Sequence, residues 1–206
     1  MSLNIWLAFV AVVFVVSGSP GPNMLLSLTH GIHYGLTRTF STMLGLLSGL
    51  AVILAISLCG LGAVLVASTT AFEVVKYVGA AYLVYLGIRT WRTVDTRLVT
   101  EGHPPAAGGS NRYRTGVLVS LSNPKAILFC VALFPQFIDR RQALAPQAGI
   151  LLATFVCIET CWMFVYAGGG ARLAAWLRQG NRMRWFNRAS GGVFIGAGVL
   201  LGSLRR

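Results

Sequence analysis

Lys125 and Glu159 are the residues of this chain most able to do chemistry, because each interrupts an apolar run long enough to cross a bilayer. A charge at mid-membrane costs on the order of 2.5–3.5 kcal/mol on insertion scales, so intramembrane charges mark pathways by default. Two roles stay open for this pair. They can form a structural ion pair, or Lys125 can hold the acidic group of a solute while Glu159 takes up and releases a proton. Beside Lys125 the sequence reads Ser122-Asn123-Pro124-Lys125, and a similar string, Ser19-Pro20-Gly21-Pro22-Asn23, interrupts the first apolar run. Proline lacks the backbone donor and clashes with the preceding turn, so a helix must stop and restart at both strings. Ser19 before Pro20 and Asn123 before Pro124 have the form of a helix cap followed by proline at the first helical position. Two new helix N-termini inside a membrane would present unpaired N–H groups to an anion. A carboxylate suits that place, with Ser19, Pro20, Gly21, Pro22, Asn23, Asn123, Pro124 and Lys125 as the candidate binding residues and Glu159, with Lys125, as the candidate proton-coupling site or ion pair. A bland alternative is that the prolines only kink membrane helices, with Ser and Thr hydroxyls satisfying the freed carbonyls.

The elements that position these residues follow from composition. Of 206 residues 55% are hydrophobic and 11% charged, against roughly 25% charged in a soluble domain. Six membrane-crossing helices of about 20 residues would use about 120 positions. The runs lie near 4–28, 43–67, 72–90, 115–138, 146–169 and 189–204, with a Ser-Thr-Thr turn at 68–70. The first lacks a basic n-region and meets Pro20 just after its small residues, so it reads as a retained span rather than a cleaved signal. The expected fold is therefore all-α and polytopic: six transmembrane helices as two inverted repeats of three, the first and fourth broken. The chain divides into a first half over 1–90, a cytoplasmic linker over 91–114 and a second half over 115–206, together one membrane transporter domain. Lys76, Gly79, Tyr82 and Gly87 echo Arg188, Gly191, Phe194 and Gly198 in the two halves. Pro/Gly-interrupted spans at matching places are the best sequence pointer to the binding site of an inverted-repeat carrier.

The net charge of +12 comes from 15 Arg and 2 Lys against 5 acids. Eleven of the arginines fall in the loops after spans one, three and five, which by the positive-inside rule are cytoplasmic, leaving both termini outside. Loop-borne arginine of this kind excludes nucleic acid as the partner and makes it the lipid bilayer. The loop with Trp176 and Trp185 reads as a candidate interfacial helix. Cys59, Cys130, Cys157 and Cys161 lie in apolar stretches, where cysteine behaves as a small hydrophobe, and no His accompanies them; no metal site and no cofactor is expected. Glu73 and Lys76 read as an interfacial pair at a span end. Gly31 and Gly35, and Gly45 and Gly49, have the four-residue spacing of close helix packing, with a homodimer face as the alternative use. Tyr82, Tyr85 and Tyr166 either line a polar route or meet lipid.

These residues together are recognisable. Ser19-Pro20-Gly21-Pro22-Asn23, Asn123-Pro124-Lys125, the stretch from Phe72 to Gly87 and Leu133-Phe134-Pro135-Gln136-Phe137 resemble the LysE/RhtB superfamily of amino-acid exporters, most of all its homoserine and threonine efflux branch. The resemblance covers essentially the whole chain. It implies a bacterial inner-membrane carrier, not an enzyme, that expels small neutral amino acids or their derivatives in exchange for protons. Glu159 stands where similar exporters often have Asp. Two rival readings are a structural or assembly subunit, in which Lys125 and Glu159 would contact a partner, and a membrane-embedded enzyme, for which the five scattered acids are poorly arranged.

Overall fold

Apolar residues in long runs, broken only where proline or glycine denies the helix a donor or a right-handed φ, dictate a helical chain. The computed structural model describes residues 1–67, 69–92, 108–139, 142–179 and 181–203, and among these there is no strand. The helices are α1 (Leu3–Gly18), α2 (Pro22–Ala67), α3 (Thr69–Arg92), α4 (Gly109–Leu121), α5 (Pro124–Leu128), α6 (Leu144–Arg178) and α7 (Arg182–Ser203). A π-helical turn (Phe129–Leu133) and a 3-10 turn (Phe134–Phe137) continue α5.

Among the described residues two helices are by themselves long and apolar enough to cross a membrane, Pro22–Leu58 of α2 and Leu144–Gly169 of α6; the bent pair Gly109–Leu121 and Pro124–Phe137, with 54° between its limbs, makes a third if taken as one span. α1 is apolar but has only 16 residues. α3 and α7 are longer, yet each carries arginines in an end turn. The linker expected over 91–114 is shorter at both ends, since α3 runs to Arg92 and α4 begins at Gly109; residues 93–107 and the turn residue Ser68 lie outside the described residues. Trp176 and Trp185 belong to α6 and α7, not to a separate interfacial helix.

Helix directions follow from paired contacts. Trp6 Nε1 donates to Thr154 Oγ1 (3.1 Å), Trp162 Nε1 to Phe14 O (2.9 Å) and Tyr166 Oη to Gly18 O (2.7 Å), so α1 and α6 run parallel. Gly45 abuts Tyr113, Gly116 abuts Thr42 and Gly49 abuts Ser120, so the long arm of α2 runs parallel to α4. Gly87 abuts Gly191 and Gly198 abuts Ala80, so α3 and α7 run antiparallel. A Cβ on Gly45, Gly87, Gly116 or Gly191 would fall under 3 Å from backbone of the facing helix, which is why small residues stand there.

Gly35 behaves differently from the packing glycine its spacing predicts. A Cβ there would meet nothing within 4 Å, and its φ of 74° bends α2 into a short arm (22–34) and a long arm (36–67). The bend lets His30 Nδ1 approach Thr42 Oγ1 at 2.7 Å, residues that a straight helix would hold about 18 Å apart. The arginine positions Arg38, Arg89, Arg92, Arg112, Arg182, Arg184 and Arg188 lie at one end of the bundle, which the Arg112 Nε bond to Arg38 O (3.0 Å) ties together. At the opposite end the Met1 ammonium donates to Gln142 Oε1, and Gln147 holds the turn before α6 by bonds to Asp139 N and O (2.9 and 3.0 Å).

Candidate functional site

The first restart builds one wall of the site. α1 ends at Gly18, and Ser19 caps its C-terminus: the Ser19 N–H reaches Val15 O and Val16 O, and Oγ donates to Val16 O at 2.7 Å. The sequence pattern predicts Ser19 as an N-cap; the structure puts the new helix two residues later, at Pro22, because Gly21 follows Pro20 and the chain turns through both. The first bond across the break is Leu25 N to Gly21 O (2.9 Å). Ahead of it stand the Asn23 and Met24 N–H groups, first-turn donors that no intrahelical carbonyl can reach. Proline at the first position adds no further donor.

The second restart has a different chemistry. Asn123 is an N-cap with Pro124 at the first helical position, and its Oδ1 accepts from Lys125 N (3.1 Å) and Ala126 N (3.4 Å). Its Nδ2 donates to Asn23 Oδ1 at 2.9 Å, joining the two restarts across 100 residues of sequence. Lys125 reaches back over the junction. Its Nζ donates to Val16 O and Ser19 O, both 2.9 Å, and to Ser19 Oγ at 3.3 Å, so the ammonium caps the negative end of α1. Gly21 makes room for it; a Cβ there would lie 3.1 Å from Nζ.

Glu159 lies across from these caps on α6 and is buried, as are Ser17, Ser19, Asn23 and Asn123. Its carboxyl sits beside Ser17 and Asn23 and within the field of Lys125. The Lys125 hydrogen bonds go to α1, not to Glu159, so the ammonium and the carboxyl share the junction without forming a closed pair. Asn23 Nδ2 is buried without a hydrogen bond of ordinary length, and the group it interacts with is the Glu159 carboxyl. A donor so loosely held in an apolar interior is open to a better-placed acceptor.

The structure thus brings Ser19, Gly21, Asn23, Asn123, Lys125 and Glu159 to one junction. Pro22 and Pro124 open their helices with exposed rings, and Pro20 is half-buried. Sequence reading did not single out Ser17 or Trp162, and left Tyr166 undecided between a polar route and lipid. Tyr166 is 2% exposed and bonds Gly18 O, while Trp162 packs on Gly18. The signal was available in the spacing: Glu159, Met163 and Tyr166 are i, i+4 and i+7 on one face of α6, and all are buried. Tyr85, by contrast, is 54% exposed. The side chain of Lys76 is outside the described residues, so its pairing with Glu73 is not among the contacts described.

Behind the second restart the chain stays irregular. Pro135 cannot donate, the backbone passes through π and 3-10 turns, and Ser57 Oγ donates to Cys130 O at 2.6 Å. Phe9 of α1 holds this stretch by ring contacts with Phe129, Phe134 and Phe137 at 6.4, 5.8 and 5.0 Å.

A buried junction of two restarted helices with an ammonium and a carboxyl is the arrangement that the sequence motifs imply for a carrier, and the comparisons with known proteins agree at the level of family. The profile of the LysE type translocators matches residues 14–204. The chain belongs to this family. Among relatives of the LysE type translocator described here, a Vibrio cholerae protein named only as a membrane protein of uncharacterized role is 37% identical over all 206 residues and covers 100% of both chains. The homoserine/homoserine lactone efflux protein of Salmonella typhimurium is 34% identical, covering 100% of this chain and 99% of its own. The leucine efflux protein of an Enterobacter species is 31% identical, covering 98% and 96%. No solved structure matches the chain significantly.

Proposed function

We propose that this translocator exports small neutral amino acids or their derivatives, homoserine-, threonine- or leucine-like, from the cytoplasm by proton antiport. The observation that carries the reading is the buried junction that gathers the glycine-led start of α2, the loosely held Asn23 Nδ2 and the Lys125 ammonium, with the Glu159 carboxyl alongside. The amino-acid carboxylate accepts from the Asn23 and Met24 N–H groups and from Asn23 Nδ2, and draws Lys125 from its carbonyl partners on α1. Glu159 binds the counter-transported proton in the emptied site. The names of the Salmonella and Enterobacter relatives support the class of solute.

Six alternating spans in two inverted halves suit this mechanism, and the helix directions support them. Spans one and five, and two and four, should be parallel and spans three and six antiparallel, as α1/α6, α2/α4 and α3/α7 are. The arginine-rich end is then the cytoplasmic face of the bacterial inner membrane, with the N-terminus outside, and rocking of the halves about the junction alternates access. The test is efflux of labelled homoserine and leucine from preloaded proteoliposomes with and without a pH gradient. Acceleration by the gradient is expected; saturable efflux indifferent to it removes proton coupling, and no efflux of either solute removes the proposed substrate class.

A further inference from the structure

Three of the polar side chains on the short arm of α2, Asn23, Ser27 and His30, stand at i, i+4 and i+7, which places them on one face. All three are buried, at 1%, 0% and 3% exposure. Asn23 opens into the Glu159 junction. Ser27 Oγ donates to Asn23 O at 3.0 Å. About 10 Å along the helix from Asn23, His30 Nδ1 pairs with Thr42 Oγ1 at 2.7 Å, leaving Nε2 as the nitrogen for exchange. The His30 ring meets Tyr34 edge-on at 5.1 Å, and the Arg112 guanidinium covers the Tyr34 ring at 5.2 Å. His30 is therefore the last buried polar side chain of this face before the arginine-rich end. The charged and titratable groups around it are Arg112 from α4 and His33 and Tyr34 from its own helix; at Gly31, the nearest atoms of α6 are the backbone of Ala167.

An imidazole inside a membrane bundle is costly unless it has a task, and it is the side chain best suited to pass protons near neutral pH. We infer that His30 is the proton relay between the Glu159 junction and the arginine-rich end, along the Asn23–Ser27–His30 face. This rests on the proton-antiport reading. One proton leaves the Glu159 carboxyl, passes by water along the face to the His30 imidazole and is released from the imidazolium to bulk water, restoring both groups for the next cycle. Thr42 is a positioning residue that holds the ring.

The experiment compares two activities of the full-length protein in proteoliposomes, using whichever of labelled homoserine and leucine the wild-type protein exchanges: efflux driven by a pH gradient, and solute-for-solute counterflow without one. H30Q keeps a polar group for Thr42 but carries no proton. It should lower gradient-driven efflux by about tenfold or more and leave counterflow within about twofold of wild type. Unchanged gradient-driven efflux overturns the relay, and so does equal loss of both activities, which would mean a packing role. T42V keeps the imidazole and guards against misfolding of H30Q: slower gradient-driven efflux with intact counterflow supports the relay, and no change in either overturns it. Wild-type efflux indifferent to the gradient would refute the antiport reading, and with it the relay, before any variant is compared.

Discussion

The two restarts are written with similar residues, Ser-Pro-Gly-Pro-Asn and Ser-Asn-Pro-Lys, and end in different electrical states. At the second, Asn123 satisfies the donors of its own helix and Lys125 leaves for α1. At the first, the cap is a glycine, which has no side chain to meet the first-turn donors, and Asn23 Nδ2 lacks a hydrogen bond of ordinary length. One restart supplies a strut and the other is the proposed receptor. A proline break in a membrane helix is therefore only an opportunity, and the residue before the proline decides whether it is filled locally or left for a ligand.

Removing the strut should have the largest effect. Lys125→Met leaves the Val16 and Ser19 carbonyls without their donor, which costs about 1–3 kcal/mol for a buried unsatisfied group and should abolish efflux; full transport by the folded variant would show that the ammonium serves neither restart. Asn23→Ala tests the receptor. It removes one neutral hydrogen bond, about 1 kcal/mol, and should cut efflux about tenfold or more through loss of a ligand to the carboxylate. A melting loss without a transport loss would reverse the two assignments. Asn123→Ala should act in the opposite proportion, lowering stability by about 0.5–2 kcal/mol through the lost cap while efflux falls less than in Asn23→Ala, as read by thermal melting in detergent and vesicle assay on the same preparations. The smallest effect on efflux belongs to Gly35→Ala, a break with no ligand role assigned: with open space around it, only the positive-φ backbone is penalised, by about 1–3 kcal/mol, which should appear as a lower melting temperature with vesicle efflux close to wild type.

Legibility followed the range of the forces involved. The breaks at 19–22 and 123–124 and the Asn123 cap were readable because a missing N–H and a short amide side chain act within three residues. Ser19 was readable as a cap but not as which kind: whether it ends one helix or begins the next depends on where the Pro20-Gly21 turn takes the chain. Gly35 carried a spacing that suits packing, yet only the approach of His30 to Thr42 shows it as a hinge. Tyr166 shares the Glu159 face of α6, which marks it as buried, but its choice of Gly18 O as partner lies 148 residues away and no local pattern carries it.

By itself the sequence determined that this chain is helical, apolar enough for a bilayer, interrupted at two proline strings and marked by a lysine and a glutamate in its apolar runs, since each of these depends on composition or on near-neighbour backbone chemistry. Only the tertiary structure decided that Lys125 reaches α1, that Asn23 and Asn123 share a hydrogen bond and that Glu159 faces them. Those outcomes depend on which helices pack in parallel and at what height, a balance of glycine contacts and side-chain volumes summed over the whole bundle rather than a property of any one segment.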